Sequence, residues 1–195
     1  MKRLFDFIFS FVFLILLFPF FIILSLFIIL DSKGGIFFKQ IRVGKDGKDF
    51  NILKFRTMHT GADKKGLLTI GKKDMRVTRI GYYLRRYKLD ELPQLINILK
   101  GDMSIVGPRP EVRKYVDLYT QEQLKVLSVK PGLTDFASLE YIDESEILSK
   151  STEPEKLYIK EIMPAKLALN MHYIKTQGLY TDLKIIFKTL FKIFS

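Results

Sequence analysis

The chain has 195 residues, with 32 Lys and Arg against 21 Asp and Glu, giving a formal charge of +11. That excess suits anionic headgroups, phosphorylated substrates or nucleic acid without choosing among them. The absence of cysteine excludes disulfides, thiol nucleophiles and thiolate zinc sites, and agrees with a reducing compartment; only His59 and His172 offer imidazole chemistry, so any metal is expected on oxygen ligands, which favours magnesium.

The run Phe7 to Leu30 is uncharged and almost wholly apolar, interrupted near its middle by Pro19. A straight helix of about 24 residues at about 1.5 Å per residue is long enough for a hydrocarbon core of about 30 Å, so length permits a crossing without requiring one. Proline inside a helix removes a hydrogen bond and crowds the preceding turn, which predicts a kink or break at Phe18-Pro19. Lys2 and Arg3 precede the run, and Lys33, Lys39, Arg42, Lys45 and Lys48 follow it. Cations at both ends favour a re-entrant helix that dips into the bilayer and returns, over an ordinary spanning helix. The run ends without a small-residue cleavage site, which argues against a signal peptide.

The expected division is a re-entrant membrane helix over residues 1–31 and a domain over residues 32–195. Ile36 to Gln40 and Phe50 to Phe55 read as short strands around a turn at Gly44-Lys45-Asp46-Gly47. Gly61 to Asp74 reads as a mobile polar loop, and Ile80 to Tyr87 as a helix. Leu89, Leu92, Leu95, Ile96 and Leu99 mark one helix face. Val112 to Leu127 reads as a further helix stopped by Lys130-Pro131-Gly132, and the chain is helical again from Glu155, interrupted by Pro164 and Gly178. The fold class is therefore α+β and mostly helical, with a small β-hairpin.

In the last helix Leu183, Ile186, Phe187, Leu190, Phe191 and Phe194 fall on one face and Lys184, Lys188 and Lys192 on another. This pattern predicts an amphipathic helix in the headgroup plane; a helix covering the domain's own core is the alternative.

Chemistry concentrates at Lys88-Leu89-Asp90-Glu91-Leu92-Pro93-Gln94-Leu95. Pro93 favours a first helical turn, which puts Asp90 and Glu91 at its amino end, where free amides and the helix dipole favour anions. Two carboxylates beside Arg85, Arg86 and Lys88 suit a magnesium ion together with a diphosphate. Plain capping with surface ion pairs is the competing reading.

Three further segments weigh on that choice: Lys54-Phe55-Arg56-Thr57-Met58, then Gly101-Asp102-Met103-Ser104-Ile105-Val106-Gly107-Pro108-Arg109-Pro110-Glu111, and Lys130-Pro131-Gly132-Leu133-Thr134. In this order, behind a proline-interrupted apolar segment, the chain resembles the bacterial sugar transferase family. The likeness is to the small monotopic phosphoglycosyl transferases that act on a polyprenyl phosphate carrier, and it runs from Lys2-Arg3 through Asp182-Leu183-Lys184. It implies the minimal form of the family, in the bacterial inner membrane with the catalytic domain facing the cytoplasm.

The resemblance implies that Asp90 is the nucleophile and Glu91 its partner in magnesium coordination or proton handling. Asp90 and Glu91 are thus the implied metal-binding residues, with Mg2+ as cofactor. The implied substrates are a nucleoside diphosphate sugar, of the uridine type, and polyprenyl phosphate. Lys54, Arg56, Arg85, Arg86 and Arg109 are the candidate substrate-binding cations; Pro108 and Pro110 restrict the backbone around Arg109 and preorganise its guanidinium. His59 and His172 read as structural. The chain departs from the family's common pattern after the Pro-Gly turn, where it reads Thr134-Asp135-Phe136-Ala137-Ser138-Leu139-Glu140-Tyr141-Ile142-Asp143-Glu144 and lacks the usual Gly-Arg. Tyr141 and Asp143 there are candidate sugar contacts.

Two other classes compete: a membrane-tethered basic adaptor and a catalytically silent scaffold. The adaptor rests on charge alone, since aromatics and cations are not interleaved and Asp90-Glu91 repels phosphate without a metal, so no nucleic-acid partner is expected.

Overall fold

A helix of 30 residues, α1, spans Lys2–Asp31 and dominates the architecture. The computed structural model describes residues 2–62, 66, 68–71 and 74–194. Of the kink or break expected at Phe18-Pro19, a break is absent: helical residues run through both positions without interruption. Among the described residues α1 is the one helix long and apolar enough to cross a membrane.

Both ends of α1 are tied to the rest of the chain. At its start Lys2 pairs with Asp182 at 2.5 Å, the Arg3 guanidinium donates to the carbonyls of Ile98 and Leu99, and buried Asp6 accepts from the Ser104 hydroxyl and the Ile105 amide. At its end Asp31 accepts from the Ile80 amide, and Arg56 donates to the carbonyls of Ile28, Ser32 and Lys33. Between the ends one face packs inward. Phe5, Phe9, Leu14 and Leu17 lie against a core of Ile52, Leu95, Ile98, Met103, Ile105, Val106, Tyr173 and Ile185, while Leu24 and Ile28 join Phe55 and Leu84 in a second cluster. The opposite face, including Phe7, Ile8, Phe11, Ile15, Leu16, Phe18, Ile22, Leu26 and Leu30, is exposed.

Strands β1 (Phe37–Val43) and β2 (Asp49–Phe55) form the expected antiparallel hairpin, in register from Phe37 opposite Phe55 to Val43 opposite Asp49. Asp46 and Gly47 close its turn in the left-handed region, at φ 56° and 73°. Of the loop expected over Gly61 to Asp74, residues 63–65, 67, 72 and 73 lie outside the described residues.

Helix α2 (Arg79–Arg86) begins at Thr78, whose hydroxyl accepts from the Gly81 amide at 3.0 Å, an N-cap that satisfies one of the helix's free donors. A 3-10 turn over Leu89–Glu91 leads through Pro93 into α3 (Gln94–Lys100), which ends on Gly101 in the left-handed conformation. The single helix face expected from Leu89 to Leu99 is thus divided by that turn.

Strand β3 (Ser104–Val106) pairs in parallel with β4 (Gly132–Thr134), Ser104 opposite Gly132 and Val106 opposite Thr134. The chains approach so closely that a Cβ on Gly132 would lie 2.1 Å from the Gly107 amide nitrogen. The helix expected over Val112 to Leu127 is reduced to α4 (Arg113–Val116) and a 3-10 segment over Gln123–Ser128. The second segment is opened by a reciprocal capping box, in which the Thr120 amide donates to Gln123 Oε1 and the Gln123 amide to Thr120 Oγ1.

Short helices α5 (Phe136–Glu140), α6 (Glu144–Ser149) and α7 (Pro154–Leu157) follow, then a π-helical turn over Tyr158–Ile162 that runs into α8 (Met163–Thr176). Pro164 follows directly on that π-helical turn, and the helical run continues through it without interruption. The last helix, α9 (Leu179–Phe194), buries Asp182 and Ile185 and bonds Thr189 to Thr134. Leu183, Phe187, Leu190 and Phe191 are exposed, whereas Ile186, expected with them, packs against the core. The Phe194 side chain lies outside the described residues.

Candidate active site

Asp90 and Glu91 occupy the 3-10 turn between α2 and α3, and both are buried, at 7% and 8% exposure. Their turn is entered through Lys88, a non-glycine residue with φ 55°. It is left through Pro93, so the carboxylates sit at the amino end of α3 as expected.

Neighbours treat the two acids differently. Lys54, at the end of β2, donates to Glu91 Oε1 at 2.9 Å, and Arg109 grips both oxygens of Glu91 with a two-pronged contact, 3.1 Å on the Oε2 side. Asp90 makes no hydrogen bond or ion pair among the described residues. Burial raises the Asp90 carboxyl above its ordinary value, against the pull of Lys54, and the Glu91 charge raises it further. Burial would do the same to Glu91, but Arg109 and Lys54 outweigh it and hold that carboxyl well below the usual range. In return Glu91 raises Arg109 despite burial, whereas for Lys54 burial wins and its ammonium is easier to deprotonate than usual. One acid is a clamped anion and the other a basic carboxylate, the pattern that separates roles in acid and base chemistry.

Arg109 is aimed by its backbone. Its amide donates to Asp135 at 3.1 Å, and fully buried Asp135 also caps α5 through the Ser138 amide. The next acid along, Glu111, accepts from Arg42 at 3.1 Å and from the Tyr158 hydroxyl, fastening this segment to β1 and to the π-helical turn.

The other expected cations are dispersed. Arg85 donates to Thr69 at 2.6 Å and reaches Asp90 only through its charge. Arg86 is exposed, its guanidinium 5.6 Å from the centre of the Tyr87 ring. Arg56, grouped with them in the sequence, is spent on the carbonyls at the end of α1. The physical reason is that the last turn of α1 carries no basic residue of its own, so its unpaired carbonyls draw a guanidinium from elsewhere. Tyr141 packs in the cluster of Val112, Tyr115 and Tyr158, and Asp143 precedes α6. His59 lies beside the Met58 to Val77 bridge, and His172 faces Phe136.

Sequence reading passed over Asp135 and Gln94. Gln94, three residues past Glu91, is 1% exposed with neither amide atom bonded among the described residues. The signal for Asp135 was an Asp three residues before Ser138 at a helix start; Gln94 gave none.

No group of three His, Cys, Asp or Glu side chains converges among the described residues. Magnesium commonly takes one or two carboxylates and completes its shell with water and substrate phosphates, so adjacent Asp90 and Glu91 fit as its protein ligands.

A family model for bacterial sugar transferases matches residues 1–195. The chain is 36% identical over 195 residues to the UDP-glucose:undecaprenyl-phosphate glucose-1-phosphate transferase of Klebsiella pneumoniae, a match covering 98% of this chain and 39% of that protein. It is 39% identical over 175 residues to a protein of the same name from Caulobacter vibrioides, covering 88% of this chain and 61% of the relative. A protein of Bacillus subtilis described as the uncharacterized sugar transferase EpsL is 36% identical over 194 residues, covering 99% of this chain and 87% of that one. The chain thus spans only about two to three fifths of the first two relatives.

Proposed function

The chain belongs to the bacterial sugar transferase family, and from that premise we propose that it moves a sugar 1-phosphate from a uridine diphosphate sugar to polyprenyl phosphate through a phosphosugar carried on Asp90. Asp90 attacks the sugar-bearing phosphorus, and the bond from that phosphorus to the bridging oxygen breaks, releasing UMP. An oxygen of polyprenyl phosphate then attacks the same phosphorus. The bond to Asp90 breaks, giving polyprenyl diphosphate sugar and the free carboxylate. Dividing one displacement into two lets each anionic substrate be handled in turn.

The observation that carries this reading is the contrast between the acids. A buried carboxylate with no bonded partner and a raised pKa is basic and poorly solvated, which suits a nucleophile. Glu91, clamped by Arg109 and Lys54, keeps those cations in place beside it. Arg85 contributes positive charge where phosphate would lie, and Arg86 is a cation at its edge. Magnesium, held by Asp90 and Glu91, would offset charge on the diphosphate.

The same reading takes α1 as a re-entrant membrane segment of the cytoplasmic membrane, with residues 32–195 on the cytoplasmic side. Its support is that both ends of α1 are bonded to one body of polar structure while its outer face is apolar and exposed. Exposed Leu183, Phe187, Leu190 and Phe191 on α9 support a second, interfacial contact.

The experiment is single-turnover labelling with donor carrying radioactive β-phosphate and no acceptor. Label should attach to the polypeptide at Asp90 with release of one UMP. It should leave as polyprenyl diphosphate sugar when polyprenyl phosphate is added. Asp90→Asn should take up no label, and a variant that still turned over would refute the assignment.

A further inference from the structure

Beside the first turn of α1 lies a cavity of about 250 Å3 whose lining includes four cations, Lys2, Arg3, Lys45 and Lys130, and one acid, Asp6. Neither Lys54 nor Arg109, the residues that hold Glu91, takes part in it.

Its charges are out of balance. Lys2 is engaged with Asp182 and Tyr173, and Arg3 spends two donors on the carbonyls of Ile98 and Leu99 and lies over the Phe7 ring, its remaining donors making no hydrogen bond among the described residues. The ammonium groups of Lys45 and Lys130 make no hydrogen bond or ion pair among the described residues. Asp6 offers little relief, since it is buried and accepts from Ser104 and Ile105. The head groups of Arg3 and Lys130 nevertheless converge: a Cβ on Gly101 would lie 3.2 Å from Arg3 Nη2 and 3.4 Å from Lys130 Nζ. Burial and the nearby Arg3 and Lys45 charges, opposed by Asp6 and Asp102, make the Lys130 ammonium easier to deprotonate than usual. Cations that outnumber the acids around them in a roomy cavity are stabilised by an anion that enters it.

Position narrows the anion. Lys2 and Arg3 are followed at once by exposed Leu4, Phe7, Ile8 and Phe11, so the cavity sits where apolar surface gives way to charge. At that depth a membrane presents phosphate, and basic pockets beside membrane helices take acidic headgroups.

We propose that this cavity is a phosphate-anion site, in which Lys130, Lys45 and the free edge of Arg3 hold either the phosphodiester of an acidic lipid headgroup or free phosphate. The lipid source rests on the membrane reading of α1 given above; the anion site itself does not.

The test is thermal unfolding of the full chain in a neutral detergent, with short-chain phosphatidylglycerol, inorganic phosphate or short-chain phosphatidylcholine added in turn. The transition should rise by about 5–10 °C at a hundredfold excess of anion over its Kd. A rise with phosphatidylglycerol alone assigns the site to the lipid headgroup, and an equal rise with inorganic phosphate assigns it to phosphate from either source. Lys45→Gln/Lys130→Gln should lose the response, and Lys130→Arg, which keeps the charge, should retain it even if the double variant folds poorly. A response unchanged in the double variant, no response to either anion, or an equal response to phosphatidylcholine overturns the site. Transfer from a uridine diphosphate sugar, assayed in the same samples, reports on Asp90 separately. Its absence in the native chain would count against the proposed reaction and leave the anion site standing.

Discussion

At the scale of single residues the difference between Asp90 and Glu91 is one of company. Removing Arg109 leaves a buried carboxylate without its main partner, and breaking such a pair costs about 3–5 kcal/mol. Arg109→Ala should therefore lower the unfolding midpoint as well as transfer; near-native values of both would take Arg109 out of the site. Asp90→Asn acts in the opposite direction. Because burial raises the folded pKa of Asp90, its charged form weakens the fold as pH rises from the ordinary aspartate value through the raised one. The variant removes that charge, so at neutral pH it should be more stable than the native chain while inactive, each kcal/mol appearing as about 2–4 °C. Glu91, held low by Arg109 and Lys54, gives stability above its ordinary pKa that is lost only as pH falls below it toward the depressed value. On the proposed mechanism transfer requires ionised Asp90, so the acid limb of kcat/KM should lie above the ordinary aspartate value. A limb at or below that value would contradict a carboxyl raised by its site.

At the scale of elements, α2 is the support on which the acids stand. A Cβ on Gly81 would lie 2.1 Å from the Thr57 carbonyl oxygen, and Thr57 itself accepts from the Thr78 amide at 2.9 Å. Gly81→Ala should thus push α2 off the Thr57 segment that follows β2 and lower both stability and transfer in a melt and an assay. Thr78→Ala should cost only about 1 kcal/mol, the usual worth of a cap. The hairpin and the site turn were legible in the sequence because their signals are local: the glycines of the hairpin turn, and Pro93 after two acids. The pairing of β3 with β4 was not legible, since three-residue strands far apart in sequence carry no periodicity, and Gly107 against Gly132 is a contact that only the fold reveals. The long helix expected from Val112 is instead two segments, the second opened afresh where Thr120 and Gln123 satisfy each other's amides. The partners of Arg56 were hidden for a related reason, as nothing near it in sequence announces that the end of α1 lacks a cation.

At the scale of the whole molecule, α1 is clasped at both ends and along one side. Single cysteines introduced by Lys2→Cys and Lys33→Cys should react from the same side of the membrane, the chain having no cysteine of its own. Labelling of the two positions from opposite sides would establish a crossing. The clasp also bears on how this chain is to be handled outside a bilayer. The inner stripe of α1 forms a wall of two cores, so cutting the chain near Ser32 would strip Ile98, Tyr173, Phe55 and Leu84 of their cover and leave their surfaces to aggregate. A water-soluble form is better sought by repainting than by amputation, exchanging outward Leu4, Ile8, Phe11, Ile15 and Leu16 for charged residues while the inward stripe stays as it is.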